Sequence, residues 1–392
     1  MKKKVRTGLE NLIFNPPDYL NDKRLGLLCN PASVDSEFNH ASRLINEKFP
    51  GQLKVLFSPQ HGYYAEKQDN MVESDHFIEP HLNIPIYSLY GKTRIPTAQM
   101  FDAIDVLLVD IQDVGTRVYT FIYTVSYCLE MAARLKKKVV ILDRPNPIGG
   151  TQIEGNILSI DYSSFVGRYE IPMRHGMTIG EICCFFNTQY HIDCDLSIIP
   201  MTGWTRDMYW KDTHLPWVAP SPNLPTPESA MVYPGQVIFE GTNVSEGRGT
   251  TQPFEIFGAP FINTDKILKD VQNRLPGLHL RPISFEPTSG KWQGSVCNGF
   301  QIHVTKRQTY LPYVSSLILL QSIIRLHKKE FLFKEPPYEY EFNKMPIDLI
   351  IGSKSLRKQI QALNDISQLS RLWQPKLDHF KKITQRVYRY DR

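Results

Sequence analysis

The sequence predicts an α/β protein: a Rossmann-like, doubly wound parallel sheet followed by a smaller α+β domain at the carboxyl end. Three observations predict it. Short runs at 25–29, 53–57, 84–88, 106–109 and 138–142 are nearly continuous in apolar residues, as strands buried on both faces are. Between the last two, Phe121, Thr124, Cys128, Met131 and Leu135 recur at helical spacing within 117–135, which makes a strand–helix–strand rhythm. After about Phe261 that rhythm gives way to a mixed pattern. With 392 residues, the chain divides into a Rossmann-like domain over 1–260 and an auxiliary α+β domain over 261–392.

The remaining elements follow in order. A helix begins at Thr178, with Glu181 placed for a capping box, and a strand follows at 196–199. From 216 to 260, prolines and glycines crowd together, which predicts a long functional loop. Helices are expected over 313–326 and over 353–372, the second carrying Leu356, Ile360, Leu363, Ile366 and Leu369 on one face.

Composition narrows the function. Hydrophobic residues make up 42% and charged residues 22%, enough for a full core. A net charge of +5 spread along the chain does not suit a dedicated nucleic-acid binder, though it suits an anionic small substrate. Six cysteines without a C-x-x-C pair predict buried free thiols rather than disulfides or a zinc site. The basic start Met1-Lys-Lys-Lys is not followed by an apolar stretch, so it does not read as a signal peptide. No run reaches the length of a membrane span. A soluble protein without membrane insertion is expected, cytoplasmic or exported with a leader removed.

Ligands of open parallel sheets bind beyond the carboxyl ends of the strands. Four strand exits there are polar: Asn30-Pro-Ala-Ser33, Ser58-Pro-Gln-His-Gly62, Asp110-Ile-Gln-Asp-Val-Gly-Thr-Arg117 and Asp143-Arg-Pro-Asn-Pro147. Each alone is also ordinary turn chemistry; together they suggest a sugar- or phosphate-binding floor. The first exit lacks the glycines of a dinucleotide fingerprint, and Gly247-Arg-Gly-Thr-Thr251 lacks the Walker lysine. No cofactor is therefore expected. His61 and His76, with four acids between them, match no standard metal spacing, and there is no Gly-x-Ser-x-Gly elbow.

Carboxylate chemistry is what remains. Glycoside hydrolysis needs an acid to protonate the leaving oxygen and a second group to attack or to position water. Asp110, Asp113, Asp143, Glu154 and Glu240 lie on the expected active edge or the Gly-rich segment, with Tyr119, Tyr123, Trp204 and Trp217 as candidate stacking aromatics. For Tyr123, core packing is the better reading.

Several long motifs occur in one order: Ser58-Pro-Gln-His-Gly62, Val109-Asp-Ile-Gln-Asp-Val-Gly-Thr-Arg-Val-Tyr-Thr-Phe121, Leu142-Asp-Arg-Pro-Asn-Pro147, Arg174-His-Gly-Met177, Pro220-Ser-Pro-Asn223, Phe239-Glu-Gly-Thr-Asn-Val-Ser-Glu-Gly-Arg-Gly-Thr250 and Pro346-Ile-Asp-Leu349. Across essentially the whole chain the sequence resembles the NamZ-like exo-β-N-acetylmuramidases. The resemblance implies release of terminal N-acetylmuramic acid from the non-reducing end of peptidoglycan fragments, without metal or nucleotide. For that chemistry Glu240 and Asp113 are the preferred carboxylates, with His61 assisting or orienting. Arg117, Arg144 or Arg248 would pair the muramic lactyl carboxylate. Asn30, Asn146, Asn243 and Ser245 would hold hydroxyls or the acetamido group, and Gln60, Tyr119, Glu154 and His175 complete the expected sugar site. One departure stands out: the family typically reads Pro-Glu-His-Gly where this chain has Gln60 before His61. Glutamine carries no acidic proton, so the alternative is an amino-sugar-binding descendant with lost or shifted activity, unless Glu66 folds back to replace it.

Overall fold

The computed structural model describes residues 4–391, except Asn70 and Lys92. The first three residues of the basic start lie outside the described residues. A seven-stranded sheet contains β1 (Leu25–Cys29), β2 (Leu53–Ser58), β3 (Phe77–Glu79), β4 (Ile84–Ser88), β5 (Val106–Asp110), β6 (Lys138–Leu142) and β7 (Asp195–Ile199). Their spatial order is β3-β4-β2-β1-β5-β6-β7. All neighbours are parallel except β3, which runs antiparallel to β4 at the edge. β3 lacks a sequence signal because it has only three residues and one of them, Ile78, faces solvent. The order reverses between β1 and β5, both wholly buried.

A second, antiparallel sheet has the order β8-β10-β9, from β8 (Ile256–Ala259), β9 (Leu278–Phe285) and β10 (Cys297–Val304). It begins a few residues before position 260. One large apolar cluster joins this sheet, the flank of the parallel sheet and the carboxyl-terminal helices. The six cysteines are free, and five of them are buried. No helix among the described residues is long and apolar enough to cross a membrane.

Three expectations need correction. The segment 216–260 is not one long loop: Pro227–Gln236 is α-helical and Val237–Gly241 a 3₁₀ turn. Pro227 stands in the first turn, where its missing N–H costs nothing, and Thr226 caps the helix by accepting from the Ser229 amide. Gly235 is needed because a Cβ there would overlap the Pro312 carbonyl of the next helix, Pro312–Leu326. The helix expected over 117–135 spans Phe121–Arg134, and its first four expected residues form a loop. The helix expected over 353–372 is two, Lys354–Gln361 and Ile366–Thr384. Leu363 takes φ +60° between them, and Asp365 caps the second. The helix at Thr178 forms with its capping box, as Ile179–Gln189.

The chain returns at its end to the first sheet. Tyr390 donates its hydroxyl to Asp143 Oδ2 at 2.5 Å, beside the exit of β6. Its ring meets Trp204 edge-on, with centroids 5.2 Å apart.

Candidate active site

The exit of β2 carries Gln60 and His61 into a narrow crevice of about 30 Å³. Tyr119 and Thr120 from the loop after β5 line it, with Ser221, Tyr233, Glu240, Arg248, Tyr338 and Glu339 from later in the chain. That volume admits only one or two water-sized bodies. Glu240, Arg248 and Tyr338 also line an adjoining groove of about 560 Å³, with Ser245, Glu246, Lys291 and Lys334. The groove is of the size that holds small ligands.

Two carboxyl groups stand in the crevice in different surroundings. Glu240 accepts from Arg248 Nη2 at Oε1 (2.8 Å) and from the Tyr338 hydroxyl at Oε2 (2.6 Å). Arg248 also approaches Glu246, at 3.5 Å, and Lys291 reaches Glu246 at 2.7 Å. Burial opposes the charge on Arg248, but Glu240 and Glu246 hold it above its ordinary value. Burial likewise opposes ionisation of Glu246, but Lys291 and Arg248 outweigh it and hold its pKa below the usual value.

Among the described residues, Glu339 has neutral hydrogen-bond donors. Its Oε1 accepts from Gln60 Nε2 at 3.2 Å and its Oε2 from the Tyr90 hydroxyl at 2.6 Å. Burial pushes its carboxyl above the usual value; Tyr90 opposes this and nearby Glu240 adds to it. Gln60 is itself held, since its Oε1 accepts from Thr120 Oγ1 at 2.7 Å. Glu339 and Tyr340 have φ of +46° and +65°, and the flanking Tyr338 and Glu341 exchange both backbone hydrogen bonds. A two-residue turn of this kind ordinarily selects Asn-Gly.

His61 also sits at positive φ, +77°. Its Nδ1 meets the Lys67 carbonyl at 2.7 Å, which places the ring proton there and leaves Nε2 toward Ser221 Oγ, 3.2 Å away. Burial pulls its pKa down to about 4, against the Lys67 carbonyl, so the ring is neutral near pH 7. The Tyr119 hydroxyl is buried without a hydrogen-bond partner among the described residues.

Of the residues expected at the site, the structure therefore brings together Gln60, His61, Tyr119, Glu240 and Arg248, with Ser245 in the adjoining groove. The others lie elsewhere. Asp113 is outside both linings: its Oδ2 accepts from the Gly115 amide at 2.8 Å and lies 3.4 Å from Nε2 of the fully buried His175. Arg144 forms a fork on Asp110 (2.5 and 2.7 Å) that closes the sheet where the strand order reverses. Arg117 is completely buried and donates to the carbonyls of Asn156, Ile171 and Ile350. Asn30 donates to the Pro220 carbonyl, Asn146 to that of Met177 and Asn243 to that of Glu330. Glu154 accepts from the Val314 amide at 2.8 Å. These side chains satisfy backbone groups, as polar residues at turns commonly do. Trp204 and Trp217 pack in a satellite apolar cluster, and Tyr123 is in the core. Glu66 is exposed, its carboxylate over Gly62.

Glu339, Tyr338, Tyr90 and Glu246 escaped sequence reasoning. The alternation Tyr338-Glu-Tyr-Glu341 after Pro336-Pro337 marks a turn, but no spacing ties it to position 60. Among the described residues no group of three or more His, Cys, Asp or Glu is arranged to hold a metal ion.

A mostly parallel sheet and a small antiparallel one, with two carboxyls in a crevice opening on a ligand-sized groove, define an α/β protein with a paired-carboxyl site. Residues 25–228 match the family described as exo-beta-N-acetylmuramidase NamZ, N-terminal, and residues 231–390 its C-terminal counterpart. The chain belongs to the NamZ exo-β-N-acetylmuramidase family. It is 41% identical over 393 aligned residues to the peptidoglycan beta-N-acetylmuramidase NamZ of Bacillus subtilis (strain 168), covering 99% of this chain and 92% of that one. Two crystal structures of DUF1343 family proteins from Bacteroides fragilis NCTC 9343 share the fold. One has a TM-score of 0.87 at 32% identity and the other 0.78 at 26%, each over 99% of both chains.

Proposed function

We propose that this protein is an exo-acting glycoside hydrolase that releases terminal N-acetylmuramic acid from the non-reducing end of peptidoglycan fragments. The observation that carries the reading is Glu240: a carboxylate fixed by Arg248 and Tyr338 where the narrow crevice meets the groove, in a chain of the muramidase family. A crevice of only about 30 Å³ beside the carboxylate is too small for a further sugar, which fits attack on a chain end. Glu240 assists the group that attacks the anomeric carbon. Neutral His61, through Nε2, accepts a hydrogen bond from a sugar hydroxyl or from Ser221.

The lactyl carboxylate of the substrate needs a cation. Arg117 and Arg144 are committed to buried partners away from the groove, whereas the exposed Lys334 borders it, beside Arg248, which already pairs with Glu240. Asp113 acts from behind the wall, through the loop holding Tyr119 and its contact with His175.

The test is incubation with a synthetic MurNAc–GlcNAc disaccharide and with longer fragments, read by mass spectrometry. Free MurNAc, lost one residue at a time from the non-reducing end, is the expected result. Internal cleavage, or an intact disaccharide after prolonged incubation, would refute the proposal.

A further inference from the structure

We infer that Glu339 is the proton donor to the departing sugar, doing from the carboxyl-terminal turn what Gln60 at the strand exit cannot. The inference rests on the muramidase reading above and names the acid of that site.

Three observations carry it. Glu339 lines the same crevice as Glu240 and each accepts from a phenol, yet their second partners differ in charge: the Arg248 guanidinium for Glu240, the neutral Gln60 carboxamide for Glu339. Paired carboxyls whose surroundings differ in this way divide into a proton carrier and a charged partner. The direction of the Glu339 shift, set by burial and by Glu240, agrees with its being the carrier. Finally, a glutamate and a tyrosine occupy a turn where both φ values are positive, a conformation that costs energy for residues other than glycine and recurs at functional sites.

Gln60 has a defined part. Its carbonyl is taken by Thr120, so its amide N–H must face Glu339 and hold Oε1. In the reaction, the Glu339 proton passes to the glycosidic oxygen as the C1–O bond breaks, and the bond's electron pair stays with that oxygen, which leaves as the hydroxyl of the next sugar. Water adds its oxygen to C1. One of its hydrogens remains on the product, and its other proton restores the Glu339 carboxyl through Glu240 or solvent. The sum is one water across one glycosidic bond.

The experiment compares two substrates on Glu339→Gln: MurNAc–GlcNAc, whose leaving alcohol requires a proton, and p-nitrophenyl β-N-acetylmuramide, whose leaving phenolate does not. Cleavage of the disaccharide should fall about 10³-fold, with less than about tenfold loss on the aryl glycoside. Equal losses on both, or disaccharide cleavage near the wild-type rate, would overturn the inference. Tyr90→Phe tests it with the carboxyl left in place. Loss of the hydroxyl donated to Oε2 should move the alkaline limb of kcat/KM up by about one pH unit; an unmoved limb also overturns it. Wild-type protein inactive on both substrates would instead remove the muramidase reading itself.

Discussion

Gln60 and Glu339 meet across 279 positions of sequence, amide nitrogen to carboxylate oxygen at 3.2 Å. The contact joins the exit of a parallel strand to a turn near the far end of the chain. Neither half holds a complete crevice: Gln60, His61, Tyr119 and Thr120 come from one, Glu240, Arg248, Tyr338 and Glu339 from the other.

Gln60→Glu puts a second carboxyl where the amide now touches Glu339. Two carboxyls at that separation share one proton, so no gain of turnover is expected and the alkaline limb of kcat/KM should move upward. A large gain of MurNAc release would instead show that the natural protein is a descendant lacking its acid at position 60.

Glu240→Gln keeps the shape and removes the charge. Turnover of MurNAc–GlcNAc should drop about 10²-fold or more, while binding of the disaccharide by calorimetry persists. Near-wild-type turnover would exclude Glu240 from the chemistry.

Arg117→Met is predicted to act on stability rather than on substrate recognition. It leaves the carbonyls of Asn156, Ile171 and Ile350 without their buried donor, at a cost of about 3 kcal/mol or more. Thermal unfolding should show this. A raised KM with an unchanged Tm would return Arg117 to the lactyl carboxylate.

Glu154→Gln should change how stability depends on pH. Burial pushes the Glu154 carboxyl up to about 7, with the Val314 amide opposing, while the unfolded chain ionises it near its ordinary value. Between about pH 4.5 and 7 the native state therefore binds the extra proton, so its stability falls as pH rises through that window and levels off above it. The variant lacks this loss. Urea unfolding at pH 5 and pH 8 should show the variant gaining on the wild type by up to about 3 kcal/mol at the higher pH.

β1, β2, β5 and β6 were legible because burial on both faces leaves a nearly unbroken apolar signature, the half-buried β4 and β7 through short apolar runs, and the helix at Thr178 because its cap is written locally. The paired prolines and glycines of 216–260 misled, because Pro227 and Gly235 satisfy a helix start and a close helix contact rather than a loop. At the site, His61 and Glu240 stand out through residue type and position. Arg117, Arg144, Asn30 and Asn146 have the same chemistry in sequence, yet their partners are carbonyls and a carboxylate of the protein itself. Only three-dimensional neighbours separate a side chain that awaits a ligand from one already satisfied. Glu339 was hidden for the converse reason, since its significance comes from residues more than two hundred positions away.

The bond between Tyr390 and Asp143 has a consequence for the order of manufacture. Asp143 holds the start of the helix Ile179–Gln189 through Thr178 and Gly180, all within the first half of the chain. Its remaining donor is supplied 247 residues later. In a nascent chain that has not reached residue 390, this acid lacks one partner. The sheet's last internal debt is settled only when residue 390 has left the ribosome, so the first half is made long before it is finished.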